Sequence, residues 1–461
     1  MNRSSRRRIA LAVCGMIVMM MPFAHAGFPD TPASCTAFLI CDGRTVLGGG
    51  NEDQGAFPAR AWFVPAEEDR HGRVLFGFEG VVQSGMNDQG LFYDSLSAPD
   101  IDVAAEDGKP LHHGMWTLRA LEVCSTVDDV VACLDAISVP GTWTDQLFFG
   151  DRNGDSIIVE GKTILRPEAN FQVCTNFVHS WTAHEDIACD RYLTAERMLG
   201  EMDAVTFDAV RDVFAATADT YRDGSGTAYT TIYEPVHLAA TIYFWRDYDH
   251  PIHFDLASEL ARGPHVVELV DVAYPNPRRD AWVAGATAEL DRLIEARIDR
   301  SVNLDEARAD LVGHYVVDPT VGVAPSPPVM ISAASITWDE EWPQVVVVPE
   351  GISFDLRPAG DDVWFHTNVT MMPEMDFAFR RDDGGRLIGG VLTLIGLGDI
   401  PFVKTSDAPA FEPLPTRVLS FDPDEAVGPS TSGHTRAPLV WWLAIGAGLL
   451  WLGILALAAF D

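Results

Sequence analysis

The order of hydrophobic patterns along the chain is its tightest constraint. Short β-type runs come first. Cys35-Thr36-Ala37-Phe38-Leu39-Ile40 and Thr45-Val46-Leu47-Gly48-Gly49-Gly50, separated by an Asp42-Gly43 turn, predict a hairpin. Trp62-Phe63-Val64-Pro65 and Val74-Leu75-Phe76-Gly77-Phe78 continue the β pattern. Helical periodicity follows from about Met115 to Cys133 and again from Asp190 to Leu199, before β-type runs return at Tyr229 to Tyr233 and Ala239 to Trp245. Strands, then helices, then strands again predict a layered α+β domain. A chain of 461 residues can hold two or three such units, each with its own core.

After Pro264 the pattern changes. Trp282 to Ile298 is a helix candidate with Ala286, Leu290, Leu293 and Ile294 on one face, expected to pack on the first domain or to bridge to the next (residues 265–302). Leu311-Val312-Gly313-His314-Tyr315-Val316 opens a second β-rich region, 303–412. Its short runs are Gln344 to Val348, Ile352 to Leu356, Val363 to His366, Phe377 to Phe379 and Leu387 to Leu394. Gly, Pro and Asp turns between them predict a small barrel or sandwich. From Pro413 to Arg436, four prolines and Ser430-Thr431-Ser432-Gly433 read as a solvated linker.

The two ends carry apolar runs. Arg3, Arg6, Arg7 and Arg8 precede Ile9 to Phe23 and then Ala24-His25-Ala26, the layout of a secretory signal over residues 1–26, with the mature chain starting near Gly27. Leu439 to Phe460 carries no charge, long enough for a helix to cross a hydrocarbon layer of about 30 Å. Residues 437–461 are therefore expected to form a transmembrane anchor or a sorting tail. The expected location is outside the cytoplasm, on the periplasmic or cell-surface side, with the membrane as a partner. Asp and Glu number 67 against 32 Lys and Arg, a formal charge of −35, which leaves no basic face for phosphates and argues against nucleic acid as a partner.

Of the seven cysteines, Cys14 lies in the signal segment. If Cys35 is a free thiol, Cys124 with Cys133 and Cys174 with Cys189 are possible local disulfides, leaving Cys41 alone. There is no Cys-x-x-Cys, and His112-His113 and Asp249-His250-x-x-His253 lack a third ligand, so neither metal nor cofactor is expected. Cys35 stands out by position, at the head of a strand and eight residues past the expected cleavage. Loss of Gly27 to Ser34 as a short propeptide would make it a chain terminus. Its thiol would then sit beside an α-amine of pKa about 8, nucleophile and base in one residue. A structural or disulfide cysteine is the other reading of the same spacing.

Ser34-Cys35-Thr36-Ala37-Phe38, Gly50-Asn51-Glu52-Asp53 and Gly85-Met86-Asn87-Asp88-Gln89-Gly90-Leu91 resemble the linear amide hydrolases that include choloylglycine hydrolases and penicillin V acylases. The resemblance continues through Asp151-Arg152-Asn153-Gly154-Asp155-Ser156, Thr175-Asn176-Phe177, Asp190-Arg191-Tyr192 and Thr227-x-Tyr229-Thr230-x-Ile232-Tyr233, and fades near Gly263. It implies an αββα N-terminal-nucleophile hydrolase sandwich over 35–264, with Cys35 exposed by loss of a propeptide, often autocatalytically. It also implies that Asp53 bonds the terminal cysteine, that Asn176 polarises the scissile carbonyl, and that Arg191 partners Asp53 or the nucleophile. A donor aimed at a developing oxyanion contributes roughly 3 kcal/mol, and a fixed cation near a thiol favours thiolate.

Asn51, Asn87 and Ser97 are expected to line the substrate. Two positions depart from the choloylglycine hydrolases: Gly50 stands where they have arginine, and Ser97 where they have a second oxyanion asparagine, so bile-salt specificity does not transfer. The reading is a cysteine amidohydrolase that acts on a linear, non-peptide acyl amide through a thioester on Cys35. An acyltransferase or dipeptidase of the same chemistry, and a surface binding protein that has lost turnover, are the alternatives.

Overall fold

The fold is taken from a computed structural model that describes residues 35–54, 59–78, 81–112, 115–220, 226–318, 333–338, 342–347, 351–366, 375–394 and 398–417. All of them fall within one compact unit, residues 1–419. The chain opens with strands β1 (Thr36–Cys41), β2 (Val46–Gln54), β3 (Ala59–Val64), β4 (Arg73–Phe78), β5 (Val81–Asn87) and β6 (Phe92–Val103). Helices α1 (Trp116–Val123) and α2 (Val127–Asp135) lead to β7 (Gly141–Gly150), β8 (Ser156–Glu160), β9 (Thr163–Leu165) and β10 (Phe171–Thr175). Then come α3 (Asp190–Gly200), α4 (Phe207–Thr217), β11 (Gly226–Glu234), β12 (Ala239–Phe244), β13 (Ile252–Asp255), α5 (Leu256–Leu260), β14 (His265–Glu268) and α6 (Leu269–Val272).

Two antiparallel sheets result among the described residues, ordered β10-β1-β2-β11-β12-β13 and β14-β3-β4-β5-β6-β7-β8-β9. The hairpin expected at Asp42-Gly43 is present, with Thr36 opposite Asn51 and Ile40 opposite Leu47. Asp42 Oδ1 holds its turn by accepting from Arg44 N and Thr45 N. Alternation along β1 then dictates the layers. Phe38 and Ile40 join Leu47 and Val173 against Ala195, Leu199, Val210, Val213 and Phe214 of α3 and α4. Ala37 and Leu39 point the other way, to Phe63, Phe76, Phe92 and Phe148 of the second sheet. That sheet's outer face, with Leu75, Tyr93 and Phe149, packs on Leu121, Val130 and Leu134 of α1 and α2. The architecture is an αββα sandwich.

The single helix read from Met115 to Cys133 is two. Thr126 interrupts it: its hydroxyl accepts from Asp129 N, and the Asp129 carboxylate accepts from Thr126 N, a capping box that starts a new helix more favourably than the old one continues. The later helix, α7 (Pro277–Arg297), begins behind Asn276, whose side chain accepts from Arg278 N and Arg279 N, with Pro277 at the first position. Trp282 packs on Trp245 at one end, and Arg297 pairs with Asp376 and lies over Phe365 at the other. Leu293, read as part of its buried face, is exposed.

Helix α8 (Leu304–Leu311) leads into nine strands: β15 (Gly313–Val317), β16 (Ala333–Trp338), β17 (Pro343–Val347), β18 (Ile352–Asp355), β19 (Arg357–Gly360), β20 (Val363–His366), β21 (Met375–Arg381), β22 (Leu387–Leu394) and β23 (Gly398–Ser406). Among the described residues they form one antiparallel sheet, β18-β17-β16-β15-β23-β22-β21-β20-β19. Its two edges are successive in sequence, separated by Leu356 alone. The ribbon is thus rolled into a nearly closed barrel around Tyr315, Leu356, Trp364, Phe377 and Phe402. Asp355 O accepts from His366 Nδ1 at 2.9 Å, and Leu356 N donates to Pro343 O at 2.8 Å, so both flanks of the bend are held.

The expected membrane anchor requires correction. Among the described residues no helix is long and apolar enough to cross a membrane. The longest, α7, carries Arg278, Asp280, Asp291, Arg292, Glu295 and Arg297, charges that a hydrocarbon layer disfavours. Leu439 to Phe460, on which the anchor was placed, lies outside the described residues, as do the signal segment 1–26 and Gly27 to Ser34. Among the described residues the fold is therefore a sandwich and a barrel with no helix able to cross a membrane, and the membrane partner and membrane-anchored location are withdrawn.

Candidate active site

Antiparallel register brings the nucleophile candidate and two acidic residues together. Because Thr36 pairs with Asn51, β2 runs on past the head of β1, and residues 52 and 53 flank Cys35. Cys35 is 2% exposed. Its Sγ–H donates to Glu52 Oε2 at 3.7 Å, and the sulfur accepts from Asp53 N–H. Strand β1 lies inside its sheet, between β10 and β2, so the position is held on both sides.

Arg191, in the first turn of α3, ties the site together. Its Nη1 donates to Cys35 O and to Thr36 Oγ1 (2.9 Å), and its Nη2 donates to Asn176 Oδ1 at 3.1 Å. Asn176 Nδ2 in turn donates to Ser97 O at 2.9 Å, on the second sheet. Ser97 stands opposite Asp145 in the β6–β7 register, and their side chains are hydrogen-bonded. A connected chain of groups, Cys35 to Arg191 to Asn176 to Ser97, therefore crosses from one sheet to the other at the head of β1. Asn176 retains a second amide hydrogen for an incoming carbonyl oxygen.

Asp53 Oδ1 accepts from Thr227 Oγ1, while its Oδ2 is buried with no partner among the described residues. Burial pushes its pKa well up, opposed by the Thr227 hydroxyl and the Arg191 charge. Thr227 O accepts from Arg246 Nη1 at 2.8 Å. Trp245 and Arg246 both adopt φ +59°, a left-handed conformation costing of order 1–3 kcal/mol per residue, and the Arg246 guanidinium covers the Trp245 ring.

The electrostatics differ from expectation. Arg191 addresses the Cys35 carbonyl rather than its sulfur, and the thiol pKa is pushed well above its ordinary value, first by burial and then by the carboxylates of Glu52, Asp53 and Asp94. At rest Cys35 is a protonated donor. Glu52 is fully buried and hydrogen-bonded to Asp94, and both are raised, mainly by burial; Asp94 is pushed up to about 7. Asp145 is pushed up to about 6 by burial.

Asn51 and Asn87 are not brought to the thiol. Asn51 Nδ2 donates to Phe214 O and Thr217 Oγ1 on the helix face, and its Oδ1 accepts from Thr230 Oγ1. Asn87 Nδ2 donates to Leu121 O and Cys124 O, and its Oδ1 accepts from Gln89 N and Leu91 N, closing the β5–β6 turn onto α1. The suggested disulfides are absent: all six described cysteines are free, with Cys124 hydrogen-bonded to Cys133 and Cys174 buried in the sandwich core. Among the described residues no group of three or more His, Cys, Asp and Glu is placed to hold a metal ion.

Sequence reading missed Glu52 and Asp94. The first was legible, since alternation puts residue 52 on the same face as residue 50, toward the second sheet. Asp94 carries no local signal, because its approach to Glu52 is made across the sandwich.

No protein-family model and no curated protein matches the chain. Among solved structures, two variants of the conjugated bile acid hydrolase from Clostridium perfringens align with 16% and 15% identity, over 52% of this chain and 97% of each of theirs, with TM-scores of 0.41 and 0.40. The penicillin V acylase from Agrobacterium tumefaciens aligns with 16% identity over 52% of this chain and 87% of its own, with a TM-score of 0.37. The chain is similar to these enzymes at low identity.

Proposed function

We propose that the protein is a cysteine N-terminal-nucleophile amidohydrolase that cleaves a linear acyl amide. The observation that carries this reading is the joining of Cys35, Arg191, Asn176 and Ser97 into one hydrogen-bonded chain at the head of β1, with Asp53 beside the same residue. The Cys35 sulfur attacks the amide carbon. The remaining Asn176 amide hydrogen binds the oxyanion, and the α-ammonium of Cys35, exposed by loss of the residues before it, protonates the departing nitrogen. Water then cleaves the thioester and releases the acid. Arg191 fixes the Cys35 carbonyl and the Asn176 amide in one frame, so nucleophile and oxyanion donor keep their spacing.

The test pairs two measurements on purified protein. Intact mass is expected to place the N-terminus at Cys35. Incubation with penicillin V and a panel of N-acyl amino acids is expected to give a hydroxylamine-sensitive acyl adduct on Cys35, absent in Cys35→Ser. A chain that retains Ser34 and forms no adduct overturns the reading in favour of a binding protein.

A further inference from the structure

Three groups stand in line between the two sheets. The Cys35 thiol donates to Glu52 Oε2 at 3.7 Å. Glu52 and Asp94 are hydrogen-bonded to each other, and the Asp94 carboxyl also accepts from the Ser95 backbone N–H. Glu52 is 0% and Asp94 1% exposed. One proton held between them satisfies the geometry, and the Glu52–Asp94 hydrogen bond requires it. Space for this arrangement comes from Gly50: a Cβ there would lie 2.9 Å from Asp94 Cγ, so any side chain at residue 50 would displace the carboxyl.

We infer that Cys35, Glu52 and Asp94 form a proton relay in which Glu52 takes the thiol proton as it passes its own to Asp94. This deepens the amidohydrolase reading and rests on it. Glu52 touches the reacting sulfur and is a catalytic residue; Asp94 acts through Glu52.

The step balances. The S–H bond breaks and its proton joins Glu52 Oε2, while the proton between the carboxyls moves onto Asp94. The sulfur lone pair forms the S–C bond and the carbonyl π pair moves to oxygen. Collapse breaks the C–N bond, and the nitrogen takes a proton from the α-ammonium of Cys35. On deacylation the attacking water returns a proton to that amine, and the departing sulfur recovers its own from Glu52 as Asp94 hands one back.

The relay solves a problem that the site otherwise poses, since burial and three carboxylates hold the thiol protonated. Other groups bear on the pair. Asp53 flanks it on β2, Asp145 faces it from β7, and Tyr229 and Tyr233 face it from β11. Cys174 on β10 lies near Asp94, and Arg191 on α3 acts on Asp53.

The test is alkylation of Cys35 by iodoacetamide from pH 5 to 9, read by peptide mass, in the processed wild type and in Glu52→Gln, Asp94→Asn and Asp145→Asn. A relay predicts a wild-type inflection near pH 7, where Asp94 ionises, and a slowing of at least tenfold with loss of that inflection in Glu52→Gln and in Asp94→Asn. Asp145→Asn removes a nearby charge without cutting the relay, so it is expected to react as fast as wild type or faster. Carboxylates that merely repel the thiolate predict the reverse, faster alkylation in Glu52→Gln and Asp94→Asn, and that result overturns the relay. Either variant decides alone if the other fails to fold. A wild type whose Cys35 is not alkylated at any pH overturns the nucleophile assignment itself, a distinct outcome.

Discussion

Gly50 and Asp94 share one space between the sheets, and only one of them can have a side chain there: a Cβ on residue 50 would meet the Asp94 carboxyl head-on. Gly50→Ala is therefore expected to destabilise the fold by about 1–3 kcal/mol as the buried carboxyl is forced aside. In an Asp94→Ala background the same change is expected to be neutral or stabilising, because alanine restricts the unfolded chain more than glycine does. Urea denaturation of the four proteins in a double-mutant cycle measures the coupling. An equal cost in both backgrounds would falsify the shared-space account.

Arg191 makes three contacts with one planar fork, to Cys35 O, Thr36 Oγ1 and Asn176 Oδ1. Lysine keeps the charge but offers a point donor on a flexible stem. Arg191→Lys is expected to leave the melting temperature within a few degrees of wild type and to slow acylation of Cys35 about 10- to 100-fold, the scale of an ångström-level misplacement at a reacting centre. Time-resolved mass measurement of the acyl adduct gives the rate. Wild-type acylation by the lysine variant would mean that charge alone suffices.

Two buried carboxyls make stability depend on pH with an unusual sign. Asp94 is raised to about 7 and Asp145 to about 6, against an unfolded value of about 3.9. Between those values the folded state holds more protons than the unfolded one, so their contribution falls as pH rises from about 4 and is fully lost above about 7. His179, lowered to about 4 by burial, acts in the opposite direction over an overlapping window. The carboxyl part is isolated by comparing wild type with Asp94→Asn and Asp145→Asn: each variant should gain stability over wild type on going from pH 4.5 to pH 8. Parallel urea midpoints across that range would rule the effect out.

What the sequence disclosed and what it hid follow one physical divide. The β1–β2 hairpin was legible because alternation and an Asp42-Gly43 turn are local, and α3 because its periodicity runs unbroken from Asp190. Cys35, Asn176 and Arg191 could be picked out because each sits in a short motif, and the structure joins them through hydrogen bonds. Motifs do not say which way a side chain points. Asn51 therefore looked like a site residue although alternation turns it toward α4, and Glu52 beside it passed unweighed although it faces the thiol. Helix α4 was missed despite a Thr206 cap. Asp94 and the bend at Leu356 were unreadable in principle, since both are defined by partners far away in the chain.

Beyond the last barrel strand the chain returns to the sandwich, and this return predicts where the molecule should open first. Strand β14 is an edge of the second sheet, and an unpaired edge exposes its N–H and C=O groups. Here the edge is covered: Val266 N donates to Pro415 O at 3.0 Å, and Arg417 N donates to Val266 O at 2.8 Å. Arg417 Nη1 adds a 2.9 Å contact to Glu259, and Leu414 N donates to Gly351 O next to the barrel strand β18. Arg417→Pro removes both the amide donor and the guanidinium, leaving the Val266 carbonyl without its partner at a cost of about 1–3 kcal/mol. Its expected effect is local. Amide exchange at Val266 should accelerate by roughly 10- to 100-fold, in proportion to that cost, while Phe38 and Leu39 in the central strand β1 keep wild-type protection. Equal acceleration at all three would show that the segment stabilises the whole fold, and no change at Val266 would show that the pairing contributes nothing.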